Sequence, residues 1–138
     1  MPLIFRKLNL GWNAEPNAPS PLVRVSGRQV CLRFYLNCFI FECTKPEEQG
    51  EIAFDGCSRW RLGAPDDEQW FAGKCRYSSL APDWGEFYEI EGDDPERDTP
   101  ADWCAVGPPS AGERHFLFYL RDNTFECIAK SWDFGLIR

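Results

Sequence analysis

His115 is the only histidine of the chain, so a proton transfer near neutral pH or a Cys-His nucleophile has to run through it. Its neighbours are set by a hairpin from Arg114 to Trp132. With Asp122 and Asn123 in a two-residue turn, where both side chains tolerate positive φ, Leu120 lies opposite Phe125, Phe118 opposite Cys127, and Phe116 opposite Ala129. The reverse face pairs Arg121 with Thr124, Tyr119 with Glu126, Leu117 with Ile128, and His115 with Lys130. That register leaves Glu126 two residue pairs from His115, on the order of 10 Å along the ladder, and puts Cys127 on the other face. Neither can serve the imidazole, so His115 is expected as a surface or partly buried structural residue. No catalytic set follows from it.

Arg59, Arg61, Tyr119 and Glu126 make a second candidate. Arginine forks take carboxylates or phosphates bidentately, and Tyr and Glu can orient a bound group. Against a ligand site stands the ordinary alternative that Glu51 pairs with Arg61 and Glu126 hydrogen-bonds Tyr119 on a sheet surface. Whether that face is covered decides between them. A third candidate is the loop Ser78 to Gly85 running into Glu86 and Tyr88. It can present Trp84 beside them as a binding anchor, or use Trp84 to plug the core.

The acids Glu91, Asp93, Asp94, Glu96 and Asp98 lack the D-x-D-x-D-G register and terminal Glu of a calcium loop, so the stretch reads as a solvated acidic loop or a docking surface for a basic partner. There is no G-x-x-x-x-G-K, no G-x-G-x-x-G after a strand and no G-x-S-x-G, which removes nucleotide-binding and serine-hydrolase readings. The seven cysteines form no C-x-x-C and no even set, so they are expected as reduced, mostly buried hydrophobes without metal.

The elements that must position these residues are short. Eleven Pro and eleven Gly cut the 138 residues into pieces that favour strands and turns. The Arg114 to Trp132 hairpin has one wholly apolar face, and a one-residue slip would drive Phe116, Phe118 and Leu120 into water. A second hairpin turns at Gly27-Arg28, setting Val25 against Val30 and Val23 against Leu32. A third is expected over Glu51 to Leu62 with a three-residue loop Asp55-Gly56-Cys57, which sets Ile52 against Trp60 and Glu51 against Arg61. Further strands are expected at Leu3 to Leu10, Phe39 to Cys43, Lys74 to Tyr77 and Glu86 to Glu91. Trp12 to Pro21 reads as a surface connection. Single helical turns are expected at Lys45 to Gln49, Asp66 to Phe71 and Thr99 to Asp102. The sum is one β-rich domain over residues 1 to 138, all-β or α+β, an antiparallel sandwich or open barrel of about eight strands.

Charge narrows the partners. Residues 1 to 45 hold six basic and two acidic side chains, whereas the remainder hold nine basic and twenty acidic, a net of minus 11. Such a field repels a phosphate backbone, so nucleic acid is not expected, and a basic protein is the easier partner. No apolar run approaches the roughly 20 residues of a membrane span, and Arg6 and Lys7 interrupt the apolar start, so a cytoplasmic address is expected. These features point to a small non-enzymatic binding or regulatory domain of inhibitor or immunity type, without a cofactor. The alternative is an anion-binding protein or small enzyme with a pocket near Arg59, Arg61 and Tyr119.

Overall fold

A computed structural model describes residues 3–38, 48–63, 77, 80 and 83–137. Ten strands run through them: β1 (Ile4–Lys7), β2 (Leu22–Ser26), β3 (Gln29–Tyr35), β4 (Gln49–Asp55), β5 (Arg59–Gly63), β6 (Phe87–Glu91), β7 (Cys104–Ala105), β8 (Arg114–Tyr119), β9 (Thr124–Ala129) and β10 (Ser131–Leu136). They form two antiparallel sheets, one in the order β1-β6-β8-β9-β5-β7 and the other β10-β4-β3-β2. The architecture is a sandwich that does not close into a barrel. No helix of the described residues is long and apolar enough to cross a membrane.

Alternation explains the layer between the sheets. Val30, Leu32 and Phe34 of β3, Ile52 and Phe54 of β4, Phe116 and Phe118 of β8, and Phe125 and Cys127 of β9 share one cluster, each without solvent exposure. Trp12 adds to it from the connection after β1, lying parallel to Phe134 at a centroid distance of 4.0 Å. That connection, expected on the surface, therefore supplies core, and Ala14 bridges to Leu36. The unforeseen strand β10 carries Trp132 and Phe134 against the same cluster.

The Gly27-Arg28 hairpin has the expected register, Val25 opposite Val30 and Val23 opposite Leu32, with Gly27 at φ 60°. In the β8–β9 hairpin the faces are as expected and the pairing is not. Phe118 lies opposite Phe125, Phe116 opposite Cys127, and His115 opposite Ile128. The turn is Arg121-Asp122, flanked by Leu120, whose N–H donates to the Asn123 carbonyl at 2.9 Å. Positive φ at Asp122 or Asn123 was the reason for the other turn, and neither residue adopts it; Ser20 is the one described non-glycine residue that does. The change is a shift of two, which preserves every face.

The third expected hairpin does not form. β4 pairs with β3 and β10, whereas β5 pairs with β9 and β7 in the other sheet. The chain changes sheets at Gly56-Cys57-Ser58, where Cys57 N–H donates to the Arg28 carbonyl and Ser58 N–H to that of Ile128. Lys130 makes the return crossing beside it, its N–H on the Asp55 carbonyl at 2.9 Å. Glu51 accordingly pairs with Arg33 of the neighbouring strand, at 3.1 Å, and not with Arg61.

Thr99 to Asp102 is not helical, and β7 follows it. The expected elements at Phe39 to Cys43, Lys45 to Gln49, Asp66 to Phe71 and Lys74 to Tyr77 lie wholly or mostly outside the described residues; Tyr77 is a turn and Gln49 opens β4. Cys31, Cys57, Cys104 and Cys127 are free thiols, and Cys38 is disulfide-bonded, an exception to the expectation of mostly reduced cysteines.

Candidate functional site

The outer face of the six-stranded sheet was expected to carry the polar side chains, and it does, but it is not open to water. Tyr88, Ile90, Leu117, Tyr119 and Tyr77 form a second buried cluster there, joined by Leu3, Phe5 and Trp84. The sheet is thus covered on both sides, and the charged residues of its outer face had to find partners inside.

They do so through the register shift. Because His115 faces Ile128, Glu126 is its diagonal neighbour, and His115 Nε2 meets Glu126 Oε2 at 2.8 Å with both side chains fully buried. The carboxylate accepts there, so the ring proton sits on Nε2. The other oxygen, Oε1, accepts from Arg61 Nη1 at 2.8 Å. Arg61, 4% exposed, also forks onto Asp102, with Nε to Oδ1 at 2.7 Å and Nη2 to Oδ2 at 3.2 Å. Gly63 makes this approach possible, because a Cβ at that position would stand 2.6 Å from Asp102 Oδ2.

The chain from Gly92 to Trp103 is the lid over this row. Gly92, at φ 107°, turns it out of β6, and Asp94 then points back inward with its side chain 1% exposed. Asp94 Oδ1 accepts the Glu96 N–H at 2.9 Å, and Oδ2 accepts the Tyr77 hydroxyl and stands 3.9 Å from His115 Nδ1. Further on, Trp103 donates its indole N–H to the Arg97 carbonyl at 3.1 Å. The Arg59 guanidinium lies 4.5 Å over the Trp103 ring and pairs with Asp98 at 2.6 Å. Three attachments therefore hold the acidic segment to the sheet: Asp94 at Tyr77, Asp98 and Trp103 at Arg59, and Asp102 at Arg61. The expectation of a wholly solvated loop is corrected; Asp93, Glu96 and Asp98 face solvent, and Asp94 does not.

The other expected site residues separate. His115 is 1% exposed, not a surface histidine, and Glu126 bonds His115 and Arg61, not Tyr119. Tyr119 is 1% exposed one row further along the face, with the Trp84 ring 4.6 Å away. Tyr88 exchanges hydrogen bonds with the Asp83 backbone, accepting its N–H at 2.8 Å, and burial raises the phenol to about 12. Glu86 turns to Asn9 Nδ2 at 2.6 Å and Lys7 Nζ at 3.3 Å. Trp84, Glu86 and Tyr88 thus form no common patch. Arg59 and Arg61 are brought together, but each is engaged by carboxylates.

Two depressions lie among the described residues. An open hollow of about 620 Å³ lies within the acidic segment, between Gly92, Asp93, Pro95, Arg97 and Asp98. The second, of about 280 Å³, reaches Tyr119 and Trp84. Neither is lined by Arg59 or Arg61. No group of three or more His, Cys, Asp or Glu among the described residues is arranged to hold a metal.

Asp102, Trp103 and Tyr77 were missed from sequence, and Asp94 was read only as a surface acid. No protein-family model matches this chain, nor does any curated protein or solved structure.

Proposed function

We propose that the protein is a non-enzymatic binding domain that docks a basic protein partner on the acidic segment from Gly92 to Asp102. One observation carries the reading: the segment is braced from beneath by Asp94, Asp102 and Trp103 while Asp93, Glu96 and Asp98 stand at its surface. A loop already fixed in shape loses little conformational entropy on binding, which raises the affinity obtained from a given set of contacts. Its charge accelerates encounter with a cationic surface. The engagement of Arg59 and Arg61 by carboxylates counts against an anion pocket at that place.

The test uses immobilised protein and lysine- and arginine-rich peptides, read by association rate between about 50 and 500 mM NaCl. Wild type is expected to associate faster at low salt. The variant Asp93→Asn, Glu96→Gln, Asp98→Asn should associate about tenfold more slowly. Asp94 is left intact because of its buried contacts. A control removing the same charge at exposed Asp55, Asp122 and Asp133 should behave as wild type. If the control slows association as much as the loop variant, or if no peptide binds with salt dependence, the reading is wrong.

A further inference from the structure

Among the described residues the four-stranded sheet ends in β2 on one side and β10 on the other. Leu22 and Val25 of β2 are 55% and 46% exposed, and Leu136 of β10 is 38% exposed. An open edge presents backbone donors and acceptors to a further strand. We propose that these two edges pair between copies of this chain, β2 of one copy beside β10 of the next, so that the protein assembles head to tail. The proposal is independent of the acidic docking surface.

Hydrogen-bond alternation sets which backbone groups are available. The Leu36 N–H donates to the Glu48 carbonyl at 2.8 Å, which continues the β3–β4 register and assigns the even-numbered residues of β3 to β4. The odd-numbered residues of β3 therefore bond β2, and they satisfy Leu22, Arg24 and Ser26. Val23 and Val25 turn their N–H and C=O groups outward. On the far edge the Ile137 N–H donates to the Gln49 carbonyl at 2.9 Å, in register with the β10–β4 pairing. Ser131, Asp133 and Gly135 share that phase, so Trp132, Phe134 and Leu136 turn their backbone groups outward.

An antiparallel pairing that sets Arg24 opposite Asp133 of the next copy uses these groups together. Val23 then meets Phe134 and Val25 meets Trp132 as hydrogen-bonded pairs, and the Leu136 N–H reaches the Pro21 carbonyl. The faces match as well. Val23, Trp132 and Phe134 already pack against the core from the inner side, and Val25 extends that layer. On the outer side Arg24 and Asp133 are exposed and make no ion pair with a described residue. Leu22 falls opposite Gly135, where a Cβ would meet nothing within 4 Å. Opposite charges facing each other across strands stabilise a pair, and like charges destabilise it. Two-fold pairings forgo this gain: β2 on itself with both valines bonded sets Arg24 opposite Arg24, and β10 on itself brings Asp133 no cation. The chain carries a net charge of -7, yet β2 lies in its basic first part and β10 in its acidic remainder, so head-to-tail contact joins opposite signs. Such a contact leaves one edge open at each end and does not stop at two copies.

One strand pair is a small interface, so assembly is weak and concentration-dependent. Sedimentation equilibrium between about 10 and 500 μM should show the mass of wild type rising without a plateau at the dimer. Val25→Pro removes an outward N–H and leaves the β3 ladder intact, so it should cap the β2 edge and give a folded monomer. Asp133→Lys with Leu136→Pro should cap the β10 edge in the same way. An equimolar mixture of the two capped proteins retains one good edge on each and should form a heterodimer and nothing larger. Should a proline variant fail to fold, the charges decide alone: Arg24→Glu and Asp133→Lys should each weaken assembly about tenfold, and both in one chain should restore it to within about twofold of wild type. The Asp93, Glu96 and Asp98 variant should still assemble. A wild type that stays monomeric, a dimer that survives either cap, or a charge exchange that restores nothing would overturn the proposal.

Discussion

At the scale of single residues, the cost of burying charge governs the outer face of the six-stranded sheet. Glu126 has no solvent exposure, so its charge depends on donors, among them Arg61 and His115. Removing Arg61 leaves a desolvated carboxylate and also releases Asp102. Arg61→Ala is therefore expected to cost about 3 to 5 kcal/mol in urea denaturation. Arg114 makes an equally short fork onto Glu89, with both bonds at 2.8 Å, yet its side chain is 38% exposed. Arg114→Ala should cost only about 1 kcal/mol. Equal costs at the two sites would show that burial is not the deciding quantity. Tyr88 adds a pH dependence of definite sign. Burial holds its phenol up at about 12, against about 10 in an unfolded chain. A raised acid pKa means the folded state keeps its proton longer, so this contribution is complete below pH 10 and is lost as pH rises towards 12. Between those limits wild type should lose more stability than Tyr88→Phe, measured as urea midpoints alongside the phenolate absorbance. Parallel losses in the two proteins would refute the assignment.

At the scale of elements, what the sequence reveals is which face a residue takes, and what it hides is which strand lies opposite. The alternation of Phe116, Phe118 and Leu120 against His115, Leu117 and Tyr119 assigns both faces of β8 correctly, because one slipped residue would expose three large apolar side chains. A shift of two carries no such penalty. The turn therefore had to be chosen on local preference, and local preference favoured Asp122-Asn123 over the actual Arg121-Asp122. That error of two concealed the site, since it set His115 about 10 Å from a glutamate it in fact touches. The same ambiguity operates between β4 and β5. Ile52 and Phe54 face the core, and so do Trp60 and Leu62, but from opposite sheets. Periodicity reports an apolar side without saying which layer it belongs to. The Gly27-Arg28 hairpin was readable in full because glycine at positive φ makes the local preference strong and no competing turn lies within two residues. The lid was not readable at all: Asp94 and Asp102 look like solvated acids until their long-range partners are known.

At the scale of the whole molecule, the two sheet crossings at Gly56-Cys57-Ser58 and at Lys130 lie side by side and join the layers through covalent chain as well as through core. Cys57 sits in the first crossing, its thiol donating to the Arg59 carbonyl at 3.2 Å, and Cys127 lies on β9 just before the second; both are without solvent exposure. The neighbouring Cys127 thiol holds the Cys57 thiol below its ordinary value, whereas burial pushes Cys127 well up. By thiolate content alone Cys57 would be the more reactive of the pair. Access opposes this, because reaching either sulfur requires the layers to part. Labelling of the native protein with a disulfide reagent should thus begin at exposed Cys104, and Cys57 and Cys127 should react together at the rate of global unfolding. Denaturation without reductant should release no more than five titratable thiols, since the disulfide at Cys38 withdraws two of the seven. Cys57 labelling well ahead of Cys127 would mean that the crossing opens locally and the sandwich is not one cooperative unit. Seven thiols without reductant would remove the disulfide.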